Sequence, residues 1–90
     1  MYFVYILLCA DGTLYVGITN DLRQRLRQHN QAKQGARYTR SRRPVVLKYF
    51  ERRRGRSSAL RREHEIKSWR REQKLALIAR RPAALPVSHE

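Results

Sequence analysis

The helix predicted over about residues 21–30 carries two ionisable side chains on the face that should pack against the rest of the protein. Positions 22, 25, 26 and 29 share that face, because residues three or four apart lie one above the other on a helix. Leu22 and Leu26 suit such packing. Arg25 and His29 need polar partners there, and an arginine fork is well suited to bind phosphate.

A later predicted helix carries two glutamates that cannot share a face. Glu63 and Glu65 lie about 200° apart around the helix axis, at roughly 100° per residue. Glu63 falls in the apolar stripe with Ala59 and Ile66, whereas Glu65 points away from it. A carboxylate in a packed stripe needs a hydrogen bond, an ion pair or a metal ion. The residues alone leave two readings open for Glu63, a salt bridge to Arg25 or a cation site.

Other common catalytic sites do not fit the composition. One cysteine and three scattered histidines show no zinc-ligand spacing, and no glycine-rich phosphate loop or Ser/His/Asp set is recognisable. The seven acidic residues form no obvious carboxylate cluster of the kind that two-metal nucleases use. Any metal site must therefore have few protein ligands.

The elements that must position these groups follow from the hydrophobic pattern and the turn residues. Strands are predicted over residues 2–9, 14–18 and 45–51, and helices over about 21–30, 57–69 and 71–79. Ser57 or Ser58 is the predicted cap of the second helix, and residues 36–44 should form a basic loop or a single helical turn. We expect a small α/β (α+β) domain over residues 1–80, with a three-stranded, mainly antiparallel sheet flanked by helices, and a flexible C-terminal tail over 81–90.

The net charge predicts a polyanionic partner. Lysine and arginine number 21 against 7 acidic residues, which gives a formal net charge of +14. Nine basic residues and no acidic one lie between residues 22 and 50, so this charge belongs to the folded body. We expect DNA as the partner, with RNA as the weaker choice. The predicted nucleic-acid contacts are Arg23, Arg27, Arg37, Tyr38, Arg40, Arg42 and Arg43, where Tyr38 either stacks on a base or packs.

Neither a membrane nor an export pathway is indicated. The apolar run at residues 2–9 has eight residues, too few to span a bilayer, and no basic segment or cleavage site marks it as a signal peptide. The lone Cys9 reads as a small buried residue, as is usual in a reducing compartment. We expect a cytoplasmic protein.

Five segments, taken in order, resemble the GIY-YIG nuclease superfamily. They are Tyr2–Tyr5 (YFVY), Tyr15–Gly17 (YVG), Asp21–Asn30 (DLRQRLRQHN), Gly35–Pro44 (GARYTRSRRP) and Ala59–Glu63 (ALRRE). The segment at 35–44 is similar to the small, stand-alone bacterial YhbQ-like group. The resemblance covers about residues 2–79 and implies a GIY-YIG-like fold and a metal-dependent endonuclease acting on DNA, with roles in repair or recombination.

The resemblance also implies a role for each matching residue. Glu63 would hold one divalent metal, Mg²⁺ or Mn²⁺, that polarises the scissile phosphate. Tyr15 is the implied general base for the attacking water, directly or through another water, and Tyr5 would help to position it. Arg25 would stabilise charge on the phosphate oxygens, and His29 would hydrogen-bond the phosphate or a tyrosine.

Two positions depart from the family pattern. Phe3 stands where the family name has its glycine, and no asparagine follows Glu63, although many members use one late in the domain. The alternative function is a nucleic-acid-binding module, for DNA or structured RNA, with little or no turnover. Both functions explain the charge, but only the enzyme explains the five matching residues together.

The length of the first hairpin turn decides whether the two tyrosines can share a site. A two-residue turn at Asp11-Gly12 would pair Tyr15 with Leu8 and place it on the face opposite Tyr5. A three-residue connection, residues 10–12, with Gly12 left-handed in a bulge, pairs Tyr15 with Leu7 instead. We predict the longer turn, a positive φ at Gly12, and both tyrosines on the side of the sheet that meets Arg25 and Glu63.

Overall fold

A computed structural model describes residues 1–31 and 37–81. Its elements, in chain order, are β1 (Tyr2–Leu8), β2 (Leu14–Thr19), α1 (Leu22–Gln31), α2 (Arg37–Arg40), β3 (Val46–Arg53), α3 (Arg56–Lys67) and α4 (Arg71–Arg80). The strands form one antiparallel sheet in the order β2-β1-β3, which confirms the predicted fold class. The predicted tail lies, from residue 82 onward, outside the described residues. None of the helices in the two described ranges is long and apolar enough to cross a membrane.

The β1–β2 hairpin has the predicted three-residue connection. Gly12 adopts a φ of 87°, which an L side chain rarely tolerates, and its N–H donates to the Cys9 carbonyl at 2.9 Å. The Cys9 N–H in turn donates to the Thr13 carbonyl at 2.9 Å. Leu7 therefore pairs with Tyr15 and Tyr5 with Gly17, and the prediction of register and turn is confirmed.

Alternate residues of β1 enter two separate cores, because successive side chains of a strand point to opposite faces of the sheet. On one face, Val4 and Ile6 pack with Ala59 and Ile66 of α3 and with residues of α4. On the other face, Tyr5, Leu7 and Cys9 pack against Leu22 of α1 and against Val45. Both faces of the sheet are covered, as the unbroken apolar run at residues 2–9 predicts.

Helix α1 is fixed at both of its ends. The Asp21 carboxylate accepts a hydrogen bond from the Gln24 N–H at 3.1 Å, which is the predicted cap at its start. Near its end, Asn30 Nδ2 donates to the Val45 carbonyl at 3.1 Å, and Asn30 Oδ1 accepts from the Val45 N–H at 2.7 Å. These two bonds tie the end of α1 to the residue before β3.

The start of α3 differs from the prediction. Neither Ser57 nor Ser58 caps it: Gly55 is the N-cap, in extended conformation, and no side-chain hydrogen bond closes the end. The helix begins as soon as the chain leaves β3, because the Ala59 N–H reaches the Gly55 carbonyl at 3.1 Å and closes the first turn there. Tertiary packing of Ala59 at 0% exposure outweighs the local preference of serine for a cap. Helix α2 is the single turn predicted for the basic segment.

Candidate active site

The two tyrosines lie side by side on the α1 face of the sheet. Tyr5 in β1 and Tyr15 in β2 have ring centroids 6.3 Å apart. Tyr5 is 2% exposed and its ring extends across its partner Gly17, where a β-carbon would lie only 2.5 Å from the Tyr5 hydroxyl oxygen. Glycine at position 17 is thus what allows the Tyr5 hydroxyl to rest against the backbone of β2.

The imidazole of His29 contacts both tyrosines. Its Nε2 lies 2.9 Å from the Tyr5 hydroxyl oxygen, and its ring centroid is 5.1 Å from that of Tyr15. On the other side, Nδ1 lies 2.8 Å from the hydroxyl oxygen of Thr39 in α2. His29 and Thr39 are both fully buried, so their polar atoms need hydrogen-bond partners within the protein, and this contact supplies one for each residue.

Arg25 lies one turn before His29 on the same face of α1, as the spacing predicts. Its positive charge acts on the Tyr5 hydroxyl, whose pKa it lowers, and its Nη1 donates to Gln28 Oε1 at 3.0 Å. Leu22 and Leu26 of the same face pack into the sheet. The helix therefore buries its leucines and directs Arg25 and His29 to the tyrosine pair.

Glu63 approaches the tyrosines from a different layer. Helix α3 packs on β1 and β2 through Ala59 and Ile66, on the face opposite Tyr5 and Tyr15. The predicted side of the sheet is therefore right for Arg25, whereas Glu63 belongs to the helix that covers the other face. The Glu63 charge nevertheless reaches the Tyr5 hydroxyl, whose pKa it helps to raise. The Tyr5 hydroxyl extends over β2, which is an edge strand. Glu63 of α3 can therefore lie close to this hydroxyl although α3 packs on the other face of the sheet.

The carboxylate of Glu63 is 17% exposed and forms an ion pair with Lys67 Nζ at 3.3 Å, one helical turn away. Glu65 is 55% exposed and pairs with Arg62 at 3.0 Å, in keeping with its predicted outward direction. The two glutamates thus occupy different surroundings, and Glu63 is the one whose charge acts on the Tyr5 hydroxyl.

Burial sets the protonation states of Tyr5 and His29. Together with smaller increases from Tyr15 and Glu63, it raises the pKa of the Tyr5 hydroxyl to about 12, despite the lowering by Arg25. It lowers the pKa of His29 to about 4, helped by the positive charges of Arg25 and Arg43. At neutral pH Tyr5 is a phenol and His29 an uncharged imidazole.

The donor set at Glu63 suits a metal ion that keeps most of its water. Within residues 1–31 and 37–81, no three His, Cys, Asp or Glu side chains form a group that could hold a metal. Mg²⁺ is commonly bound by one or two carboxylates together with waters and substrate phosphates. A single, partly exposed Glu63 carboxylate fits that manner of binding, once Lys67 gives up its ion pair.

The predicted nucleic-acid contacts fall into three groups. Arg27 and Arg40 are exposed, and Arg23 is half-buried. Arg42 Nε binds Asp11 at 2.9 Å, while Arg43 donates to the carbonyls of His29 and, at 3.2 Å, Gln28. The side chains of Arg37 and Tyr38 lie outside the described part of the structure.

Thr39 is the residue of this site that sequence reasoning missed. It lies in a segment that is too polar to be read as core, between residues whose charge suggested a DNA-binding surface. Its burial depends on the packing of α2 against α1. The pattern of neighbouring residues carries no signal for that contact.

Comparison with known proteins identifies the family to which the chain belongs. Residues 1–76 match the model of the GIY-YIG catalytic domain, and the chain belongs to the GIY-YIG family, whose domains are nucleases. It is 53% identical over 77 residues to a UPF0213 protein of Desulfotalea psychrophila, covering 86% of this chain and 70% of that one. A UPF0213 protein of Staphylococcus aureus is 50% identical over 80 residues, covering 89% and 96%. The solution structure of the UPF0213 protein BH0048 from Bacillus halodurans is similar with a TM-score of 0.58 and 36% identity, over 90% of this chain and 86% of that one.

The buried imidazole predicts a loss of stability in mild acid. Because the pKa of His29 falls from 6.5 in the unfolded chain to about 4 in the fold, its stabilising effect is complete above pH 6.5 and is lost as the pH falls toward 4. The free energy of unfolding should drop by up to about 3 kcal/mol over this interval, at ~1.4 kcal/mol per pKa unit.

Thermal unfolding followed by circular dichroism between pH 7 and pH 4 measures this effect. A His29→Gln variant should show a flatter slope, whereas His64→Gln, at an exposed position, should follow the wild type. A melting temperature of the wild type that does not change over this interval would contradict the buried neutral imidazole.

Proposed function

We propose that this protein is a metal-dependent endonuclease that hydrolyses phosphodiester bonds in DNA. The observation that carries the proposal is that four side chains, from β2, α1 and α3, contact or act electrostatically on Tyr5 of β1. They are Tyr15, Arg25, His29 and Glu63. A module that only binds DNA has no need to bring a carboxylate toward a buried tyrosine.

The two tyrosines have different surroundings, which supports different roles. Tyr5 is buried, and its raised pKa keeps its proton in place, so it acts as a fixed positioning group. Tyr15 is half-buried and contacts the ring of His29. We assign to Tyr15 the role of general base, which takes a proton from the attacking water directly or through a second water.

The other three side chains of the site have different proposed roles. Arg25, whose positive charge acts on the Tyr5 hydroxyl, would donate hydrogen bonds to phosphate oxygens as negative charge develops on them. His29 is uncharged at neutral pH and holds Tyr5 in place through Nε2. Glu63 would hold the Mg²⁺ or Mn²⁺ ion, which supplies Lewis-acid polarisation of the phosphoryl group.

A direct test is incubation of the purified protein with supercoiled, branched and single-stranded DNA, with and without Mg²⁺ or Mn²⁺. We expect cleavage of at least one of these substrates that requires the metal and stops on chelation. A Glu63→Gln protein purified in the same way controls for contaminating nucleases. DNA binding without any cleavage would favour the binding module and contradict the proposed enzyme.

DNA binding should weaken steeply with salt, because arginines that contact phosphates release counterions. We expect a log–log slope of about −4 or steeper, from roughly five phosphate contacts at ~0.9 each. Fluorescence anisotropy with labelled DNA in the presence of a chelator measures the slope without cleavage. Arg27→Gln, at an exposed position, should lower its magnitude by about 1. An affinity that does not depend on salt would contradict a phosphate-directed surface.

A further inference from the structure

A chain of buried hydrogen bonds connects α2 to the tyrosine pair. Thr39 Oγ1 lies 2.8 Å from His29 Nδ1, and His29 Nε2 lies 2.9 Å from the Tyr5 hydroxyl oxygen. Thr39 and His29 are 0% exposed and Tyr5 is 2% exposed. Because these side chains are buried, their polar atoms need hydrogen-bond partners within the protein.

The Tyr5 hydroxyl sets the direction of these bonds. Tyr5 is 2% exposed, and among the described residues the hydrogen-bond partner of its hydroxyl is His29 Nε2. Because a buried phenol O–H needs an acceptor, its proton is directed to Nε2, which accepts it. An uncharged imidazole carries one proton, and it must therefore be on Nδ1, where it is donated to the Thr39 hydroxyl oxygen.

The backbone around Thr39 is held from the hairpin. The Arg42 N–H donates to the Thr39 carbonyl at 3.0 Å, and the Ala10 N–H donates to the Arg42 carbonyl at 2.9 Å. The Arg42 side chain also binds Asp11 in the turn. Thr39 therefore has a fixed position relative to β1, which carries Tyr5.

We propose that Thr39 is a positioning residue, whose hydroxyl holds His29 in the Nδ1–H tautomer and thereby fixes the Tyr5 hydroxyl as a donor to His29 Nε2. The lone pairs of the Tyr5 oxygen are then left to face the rest of the site, where the positive charge of Arg25 acts on this hydroxyl. The effect of Thr39 on catalysis rests on the proposed nuclease function, whereas the tautomer of His29 does not.

Nitrogen-15 NMR of the wild-type protein at pH 7 tests the tautomer directly. The protonated and unprotonated nitrogens of a neutral imidazole resonate far apart, and their couplings to the ring protons tell Nδ1 from Nε2. We expect His29 to carry its proton on Nδ1. A proton on Nε2 would overturn the proposal, whether or not the protein cleaves DNA.

Two variants separate the hydroxyl from the bulk of the side chain. Thr39→Val keeps the shape and removes the hydroxyl, and it should shift His29 toward the Nε2–H form and lower the cleavage rate by roughly 10-fold, as for other residues that orient an active-site histidine. Thr39→Ser should restore both the tautomer and the rate. Unchanged His29 signals and an unchanged rate in Thr39→Val would overturn the positioning role.

The two proposals fail in different ways. If the wild type cleaves none of the DNA substrates, the nuclease function fails, and the NMR experiment still decides the part played by Thr39. If Thr39→Val does not fold, the tautomer of the wild type and the rate of Thr39→Ser decide the proposal in its place.

Discussion

Glu63→Gln is expected to reduce metal-dependent DNA cleavage by at least about 100-fold, comparable to the loss of a group that stabilises charge in a transition state. Glu63 is the carboxylate whose charge acts on Tyr5, and its 17% exposure leaves it accessible to a hydrated ion. Affinity for DNA should be unchanged or slightly higher, because the substitution removes a negative charge. Cleavage of plasmid DNA and anisotropy with labelled DNA measure the two effects separately.

Glu65→Gln is the matched control for this experiment. Glu65 lies on the same helix, is 55% exposed and pairs with Arg62 rather than with a residue of the site. Its cleavage rate should stay within about twofold of the wild type, since exposed ion pairs contribute little. If both substitutions left a demonstrated activity intact, the one-glutamate site would be wrong. If both unfolded the protein, Glu63 would be a structural residue.

Gly17→Ala is expected to have the second largest effect. A methyl group there would lie 2.5 Å from the Tyr5 hydroxyl oxygen, 2.7 Å from Tyr5 Cζ and 3.1 Å from Tyr15 Cε2. The Tyr5 hydroxyl that the methyl group meets also bonds His29 Nε2 at 2.9 Å, so the substitution must displace the hydroxyl from that contact. We expect cleavage to fall by at least about 100-fold and the free energy of unfolding by about 1–3 kcal/mol, the usual cost of overpacking.

Gly55→Ala controls for the loss of a glycine as such. Its backbone is extended, with φ −135°, and a β-carbon there would meet no heavy atom within 4 Å. Both its cleavage rate and its melting temperature should be close to those of the wild type. A Gly17→Ala protein with wild-type activity and stability would show that the close approach of Tyr5 to β2 is not required.

The parts of the fold that were predictable depend on contacts between near neighbours in sequence. The turn length at Gly12 follows from the side-chain alternation of two adjacent strands once Tyr5 and Tyr15 are required to share a face, and the inner face of α1 follows from the spacing of Leu22, Arg25 and His29. In each case the positions involved are set by the pitch of a helix or the pleat of a sheet. Such geometry is local and can be read from the order of residues.

The unpredicted features depend on packing between distant segments. Thr39 is buried because α2 folds against α1, and the layer of Glu63 is fixed because α3 packs on Val4 and Ile6. The start of α3 at Arg56 likewise reflects where β3 ends rather than the capping preference of serine. Residue preferences of a few tenths to about 1 kcal/mol are smaller than the free energy that is gained by burying an apolar helix face.

The strand order β2-β1-β3 has a consequence for the growing chain on the ribosome. The hairpin of β1 and β2 is complete once residue 19 has been made, yet the other edge of β1 has no partner until residues 46–53 follow. Glu63 comes later still, on a helix that can dock only on a finished pair of strands. Nascent fragments that end before α3 hold both tyrosines and no carboxylate beside them. The proposed activity therefore begins only after nearly the whole described chain has been synthesised and has folded.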